Sequence, residues 1–178
     1  MPRLNSIAPA NAEGEVKEIY EGIKKAFGGV NNIFQGMANS PAGLNAYLGM
    51  AGTLANGGLS KAEVEIVALA TSDFNNCDYC RAAHTTIAKI SGLSDDEVLA
   101  VRRGKSDNQK YNALSQFAHR VLQTKGFVED SDIQKVRDAG YNDGNIVEVA
   151  AVIAHTTFSN FFNHIHDTEV DFPAAPAL

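Results

Sequence analysis

The stretch Ser60–His84, SKAEVEIVALATSDFNNCDYCRAAH, decides how this chain folds. It opens with Ser60, followed three residues later by Glu63, which is the capping-box pattern of a helix N-terminus. The apolar run after Glu63 predicts a helix, and a pair of asparagines at 75–76 interrupts it just before the first cysteine. A second helix is expected from about residue 77 to residue 91, where a glycine follows and ends it.

Helical spacing of apolar residues continues on both sides of this stretch. Further helices are expected over Ala12–Phe27, Asn31–Asn39, Leu44–Leu54, Ser94–Arg103, Tyr111–Lys125, Asp130–Ala139 and Asn142–Phe162. Strand signals are weak throughout. We therefore predict an all-α fold with one domain over residues 1–170. Residues 171–178 carry two prolines and no pattern, and are expected to be a frayed C-terminal tail.

Composition excludes several classes of function. The net charge is −6 and the basic residues are scattered, so we expect no nucleic-acid partner. No apolar stretch approaches the length of a membrane span, so no membrane partner is expected either. The first residues carry no apolar signal-peptide core, which favours a cytoplasmic protein. In a reducing compartment, an isolated C-x-x-C is more often catalytic or metal-binding than structural.

Both cysteines of the chain lie in one C-x-x-C, formed by Cys77 and Cys80. Such a pair can cycle between dithiol and disulfide, because the second sulfur can attack whatever forms on the first. Two alternatives stay open. The cysteines could be small buried hydrophobic residues, or they could join Glu65 and His84 as four zinc-type ligands. Structural zinc sites usually contain more sulfur and histidine, and there is no second C-x-x-C, so we favour redox chemistry without a metal.

Two further residues are candidates for the same site. His84 lies four residues after Cys80, and positions i and i+4 share one face of a helix. Glu65 precedes an almost wholly apolar run. If Glu63 faces solvent, Glu65 lies about 200° round the helix from it and faces the interior. A buried carboxylate needs a partner there.

The two sulfurs are not equivalent. The helix N-terminus favours a thiolate at Cys77, but His84 can reach only Cys80. An imidazolium beside a partly buried thiolate outweighs a helix-dipole contribution of about 0.3–1 kcal/mol. We therefore predict that Cys80 attacks a peroxide oxygen and that Cys77 resolves the resulting sulfenic acid into a disulfide. Tyr79, between the cysteines, is a candidate either for closing the pocket or for positioning a proton.

The remaining features concern cofactors and assembly. His155, His164 and His166 are interpreted as interface or surface residues rather than metal ligands. No Gly-x-Gly-x-x-Gly follows a strand and no Walker loop is present, so we expect no cofactor. The helix that includes residues 147–162 is apolar around much of its circumference, which predicts a homo-oligomer that covers the excess apolar surface.

The spacing of the four candidates resembles a known signature. Glu65 is followed after eleven residues by Cys77-x-x-Cys80, and His84 follows after three more. This spacing is similar to the E-x₁₁-C-x-x-C-x-x-x-H signature of AhpD-like alkylhydroperoxidases, within the carboxymuconolactone decarboxylase superfamily. The resemblance implies an AhpD-like helical domain, obligate oligomers that are often trimers or hexamers, and a dithiol peroxidase supplied by an external reductant. It also implies that Cys80 becomes the sulfenic acid, that Cys77 donates the proton and resolves it, and that Glu65 and His84 form the proton relay.

One position departs from the family pattern. The best-known branch has a histidine immediately before the second cysteine, and this chain has Tyr79 there. A relay through that histidine cannot operate here in the same way.

Three hypotheses follow. The first is a thiol-dependent, peroxiredoxin-type alkylhydroperoxidase that reduces hydroperoxides with electrons from a thiol or protein reductant. The second is a dithiol-disulfide oxidoreductase or redox sensor with little peroxidase turnover. The third is a carboxymuconolactone-decarboxylase-like or ligand-binding protein in which the cysteines are incidental. The decarboxylase branch typically lacks the cysteine pair, which argues against lactone decarboxylation.

Overall fold

The computed structural model describes residues 1–178 and contains helices and no strand, which confirms the predicted all-α class. A 3-10 turn at Pro9–Asn11 precedes nine α-helices, which are α1 (Gly14–Phe27), α2 (Asn32–Met37), α3 (Pro41–Leu54), α4 (Lys61–Phe74), α5 (Asp78–Ile90), α6 (Asp95–Arg102), α7 (Gln109–Thr124), α8 (Asp130–Asp138) and α9 (Asp143–His166). None of them combines the length and apolar character that a membrane crossing requires.

Local hydrogen bonds explain where α4 begins. The Ser60 hydroxyl accepts from the backbone N–H of Glu63, and the Glu63 carboxylate accepts from the backbone N–H of Ser60 at 2.8 Å. This reciprocal pair is the predicted capping box, and it satisfies two donors that a helix end leaves without partners. Glu148 of α9 fixes the preceding loop, because its carboxylate accepts from the backbone N–H groups of Gly58 at 2.7 Å and Leu59 at 2.8 Å.

Helix α4 lies at the centre of the larger hydrophobic core and packs against α5, α7 and α9. Because it has neighbours on several sides, it is buried around most of its circumference. The expectation that Glu63 faces solvent is therefore wrong: Glu63 is 4% exposed. Its carboxylate accepts from the Tyr141 hydroxyl at 2.9 Å and pairs with the Lys110 ammonium at 2.8 Å.

A second, smaller core forms between α1, α2, α3 and α5, and it includes Cys77 and Cys80. Its closure on α9 depends on a glycine. A Cβ atom at Gly36 of α2 would lie 2.6 Å from the imidazole of His166, so only a glycine lets α2 pack this closely. His166 is fully buried there, which makes the interpretation of this histidine as an interface or surface residue wrong.

The C-terminal tail has no regular structure, but it is anchored rather than frayed. The Asp171 carboxylate accepts from the backbone N–H of Asn32 at 2.9 Å and from the Tyr79 hydroxyl at 2.7 Å. Further along, the Arg102 guanidinium donates to the carbonyl of Pro176 at 2.7 Å. These long-range contacts hold the tail against α2, α5 and α6.

Candidate active site

The turn between α4 and α5 places the two sulfurs together. Asn76 adopts a left-handed conformation with φ of 54°, and Cys77 follows as the N-cap of α5. The Cys77 sulfur accepts from the backbone N–H of Cys80 at 3.4 Å. Both cysteines are free thiols and are buried, with 1% and 2% of their surfaces exposed. The C-x-x-C therefore sits at a helix N-terminus and inside the smaller core.

Glu65 and His84 meet across the α4–α5 interface. His84 Nδ1 lies 2.7 Å from Glu65 Oε2, and both side chains are largely buried. Burial by itself would lower the pKa of His84. The charge of Glu65 and its hydrogen bond, together with the charge of a Cys80 thiolate, outweigh burial and raise the pKa of His84 above its ordinary value. An imidazolium is thus favoured beside the C-x-x-C.

Helix α9 supplies polar groups that sequence reasoning missed. The Asn163 side-chain amide donates to the Cys80 sulfur at 3.1 Å, and the Cys80 thiol makes a long contact of 3.9 Å with the Ser159 hydroxyl. Asn160 is fully buried next to them. A signal was available in the sequence, because buried polar residues at 156, 159, 160 and 163 recur with helical spacing on an otherwise apolar helix.

These contacts make the two sulfurs unequal. A hydrogen bond from the Cys77 thiol is the largest influence on Cys80. Burial opposes it, but the charge of His84 and the amides of Asn160 and Asn163 assist it, and the pKa of Cys80 falls to about 6. The same hydrogen bond, with burial, raises the pKa of Cys77. The helix N-terminus favours Cys77 by only about 0.3–1 kcal/mol, so we assign the thiolate to Cys80.

A stacked pair of rings lies beside this thiolate. Tyr47 of α3 and His155 of α9 have ring centroids 4.3 Å apart and an interplanar angle of 18°. His155 Nε2 is buried and has no hydrogen-bond partner. Burial, assisted by the charge of His84, lowers the pKa of His155 to about 4, so this ring is neutral at pH 7. His155 as a whole is half-buried, so its interpretation as an interface or surface residue stays a prediction.

Tyr79 lies between the cysteines in sequence, but its hydroxyl is engaged elsewhere. It donates to Asp171 at 2.7 Å and accepts from the backbone N–H of Ile33 at 3.4 Å. The Phe172 ring packs edge-on against it, with centroids 5.6 Å apart. Burial, and then Asp171, raise the pKa of Tyr79, so the phenol keeps its proton. Its hydroxyl connects α5 to the tail rather than to either sulfur.

The zinc alternative requires Glu65, Cys77, Cys80 and His84 to converge on one point. No group of three or more histidine, cysteine, aspartate or glutamate side chains is arranged to hold a metal ion. Glu65 and His84 instead bond to each other at 2.7 Å. These residues do not fit a metal centre.

The segment that carries the C-x-x-C matches a known protein family. Residues 41–123 match the model of the carboxymuconolactone decarboxylase family. The whole chain is also similar to the structure of a peroxidase-related protein from Ralstonia eutropha, described as an alkylhydroperoxidase AhpD core. The TM-score is 0.86 and the identity 25%, over 96% of this chain and 92% of that one. Over residues 41–123 the chain is therefore similar to the carboxymuconolactone decarboxylase family, and its fold is similar to that of an AhpD core.

Other AhpD-like folds extend the comparison. A peroxidase-related protein from a Silicibacter species has a TM-score of 0.80 at 22% identity, over 94% of this chain and 92% of that chain. The debrominase Bmp8, in a complex with 2,3,4-tribromopyrrole, has a TM-score of 0.79 at 19% identity, over 95% and 91%. Among curated proteins, no sequence matches this chain. An AhpD-like fold is therefore shared by proteins with different reactions, and residues rather than fold must identify the chemistry.

Proposed function

We propose that this chain is a thiol-dependent peroxidase that reduces hydroperoxides through a dithiol/disulfide cycle of Cys77 and Cys80. The observation that carries the proposal is the environment of the Cys80 sulfur. It has an amide donor at 3.1 Å, lies on the same helix face as His84, and has the second cysteine within its own helical turn. Each of these features favours a thiolate that can attack an electrophilic oxygen.

The first step transfers one oxygen atom to sulfur. The Cys80 thiolate attacks the outer oxygen of ROOH, an S–O bond forms, and the O–O bond breaks. Sulfur loses two electrons and becomes a sulfenic acid, while the peroxide is reduced to an alkoxide. The alkoxide takes a proton from the His84 imidazolium and leaves as ROH. Glu65 holds His84 through the 2.7 Å hydrogen bond and stabilises its charged form before the reaction.

The second step closes the disulfide. The Cys77 sulfur attacks Cys80 Sγ, the S–S bond forms, and the S–O bond breaks. The departing hydroxide takes the Cys77 proton and leaves as water. Two equivalents of an external thiol, or one dithiol protein, then reduce the disulfide, and His84 recovers its proton from the regenerated Cys80 thiol. A cytoplasmic location is consistent with such reductants.

A second candidate function is a dithiol-disulfide oxidoreductase with little peroxidase turnover. One observation favours it: Tyr79 stands where the best-known branch has histidine, and its hydroxyl bonds to Asp171 instead of either sulfur. In this case the disulfide would form by exchange with another disulfide, and hydroperoxide would react slowly.

Assembly is part of the proposal. Helix α9 exposes a stripe of apolar side chains on one face, made of Val147, Ala154, Phe158, Phe161 and Ile165. Most monomers do not leave such a long stripe in water. We therefore expect a homo-oligomer, a trimer or hexamer as in AhpD-like relatives, and light scattering at micromolar concentration should give a mass above the 19.0 kDa of one chain.

The experiment that separates the two functions is a steady-state assay of hydroperoxide consumption with dithiothreitol as reductant. A peroxidase consumes peroxide over many turnovers, and both Cys80→Ser and Cys77→Ser abolish the turnover. A dithiol-disulfide oxidoreductase reduces a disulfide substrate at the same enzyme concentration but consumes little peroxide. If the double variant keeps every activity of the wild type, the cysteines are incidental and both candidates fail.

A further inference from the structure

We propose that Asn163 of α9 is a catalytic residue of this site, whose side-chain amide donates a hydrogen bond to the reacting sulfur of Cys80. The inference rests on the proposed thiol chemistry and adds a group that lies outside the C-x-x-C motif. Asn163 is 83 residues from Cys80 along the chain, so only the fold brings the two together.

The geometry gives the amide a direct contact with the reacting atom. Asn163 Nδ2 lies 3.1 Å from Cys80 Sγ, and Asn163 is 4% exposed. An amide N–H donor stabilises a thiolate more than a neutral thiol, because the hydrogen bond to the charged form is stronger. Cys80 as a whole is 2% exposed, so bulk solvent does not replace this donor.

A purely structural role does not account for Asn163. Its Oδ1 atom is buried and has no hydrogen-bond partner, which costs stability. Asn160, one turn earlier, is different. Its Oδ1 accepts from Asn75 at 2.9 Å and its amide donates to the Ser72 hydroxyl at 3.5 Å, so both ends are used. In Asn163 the Oδ1 atom has no hydrogen-bond partner, while Nδ2 donates to the Cys80 sulfur. This pattern is expected of a side chain with a functional rather than a structural role.

The amide of Asn163 matters because position 79 holds a tyrosine instead of the histidine of the best-known family branch. The Tyr79 hydroxyl is occupied by Asp171 and the Ile33 backbone, so residue 79 offers no side-chain hydrogen bond to Cys80. Asn163 supplies such a bond from another helix. It exchanges no proton and forms no bond in the cycle. Its hydrogen bond stabilises the thiolate before the attack. The bond weakens as the S–O bond forms and the sulfur loses its negative charge.

The test is the apparent pKa of Cys80, measured from the pH dependence of its alkylation by iodoacetamide. Asn163→Leu keeps the number and branching of the heavy atoms and removes the donor, Asn163→Ala removes the donor and most of the side chain, and Asn163→Gln keeps an amide. The matched control is Thr156→Val, at a residue 1% exposed on the same helix whose hydroxyl has no hydrogen-bond partner and therefore makes no hydrogen bond to the sulfur. Circular dichroism verifies that each variant is helical.

We expect Asn163→Leu and Asn163→Ala to raise the apparent pKa of Cys80 by about one unit, Asn163→Gln to restore part of the shift, and Thr156→Val to leave it unchanged. An unchanged pKa in whichever of the two donor-free variants folds would overturn the inference, as would an equal rise in Thr156→Val. This readout needs no peroxide. A rise in pKa in a protein that consumes no peroxide would refute the peroxidase proposal and leave the role of Asn163 as a thiolate donor in place.

Discussion

Nδ1 of His84 lies 2.7 Å from Oε2 of Glu65, in a contact that joins α5 to α4 one helical turn from the Cys80 sulfur. The two residues are 19 positions apart in sequence. The carboxylate raises the pKa of the imidazole in a place where burial alone would lower it. Through His84, a residue on one helix therefore controls the charge beside a sulfur on another.

Glu65→Gln should weaken this control. Without the carboxylate charge, the pKa of His84 falls, the imidazolium becomes less populated, and the pKa of Cys80 rises by about one unit. The measurement is the pH profile of Cys80 alkylation. The matched control is Glu63→Gln, two residues earlier on the same helix. Glu63 bonds to Tyr141 and Lys110, so this variant should lose stability but leave the thiol pKa unchanged. Equal effects of both variants on the thiol would contradict the assignment.

The wild-type protein should show an unusually acidic thiol. Because the Cys77 hydrogen bond, His84 and the α9 amides outweigh burial, the pKa of Cys80 is lowered to about 6. The alkylation rate should therefore reach half its maximum at a pH of about 6 and level off more than about one unit higher. Cys80→Ser leaves only Cys77. Burial still raises the pKa of Cys77 and His84 cannot reach its sulfur, so its alkylation at pH 7 should be slower by about tenfold. A single profile that rises only above pH 8 would show that neither sulfur is activated.

Tyr79→Phe should loosen the tail without changing the thiol. The variant removes the hydrogen bond to Asp171 and leaves the ring that packs against Phe172. We expect faster amide hydrogen exchange in residues 171–178 and an unchanged Cys80 pKa. Asp171→Asn should loosen the tail in the same way. If Tyr79→Phe instead abolished peroxide turnover while the tail stayed protected, the phenol would belong to the proton relay.

Gly36→Ala should destabilise the junction of α2 and α9. The added methyl group would lie 2.6 Å from the His166 ring, and the buried ring has little room to move. The expected loss in the free energy of unfolding is about 1–3 kcal/mol. Gly49→Ala is the matched control in α3, where no atom lies within 4 Å of the added group, and it should stabilise by about 0.5–1 kcal/mol. Urea denaturation measures both, and a stabilised Gly36→Ala would mean that α2 does not pack as described.

Most of the helices could be predicted from the sequence because their signals are local. Ser60 and Glu63 form the predicted capping box, and Ser94 and Glu97 form a second capping box where the predicted helix over Ser94–Arg103 begins. The same local reasoning fails for a helix that packs against neighbours on several of its faces. A helical wheel separates Glu63 from Glu65 by angle, but α4 has neighbours on both of those faces, so both carboxylates are buried.

The candidate site could be predicted only in part, for a related reason. Cys77, Cys80 and His84 lie within two helical turns, and their proximity follows from helix geometry. Asn163 contacts the sulfur from a helix far away in sequence, and Tyr47 comes close enough to feel its charge from another. No periodicity within α5 indicates either residue. The anchoring of the tail could not be predicted for the same reason, because Asp171 bonds to Tyr79, which lies 92 residues away in sequence.

The central claim is that Cys80 attacks a hydroperoxide and Cys77 resolves the product. The most direct measurement adds one equivalent of hydroperoxide to the reduced protein, counts free thiols, and repeats the reaction on single cysteine variants with a sulfenic-acid probe. We predict that the wild type loses both thiols to an intramolecular disulfide, that Cys77→Ser is labelled by the probe, and that Cys80→Ser is not. Labelling of Cys80→Ser with none of Cys77→Ser would reverse the two roles, and two free thiols after peroxide treatment would contradict the account.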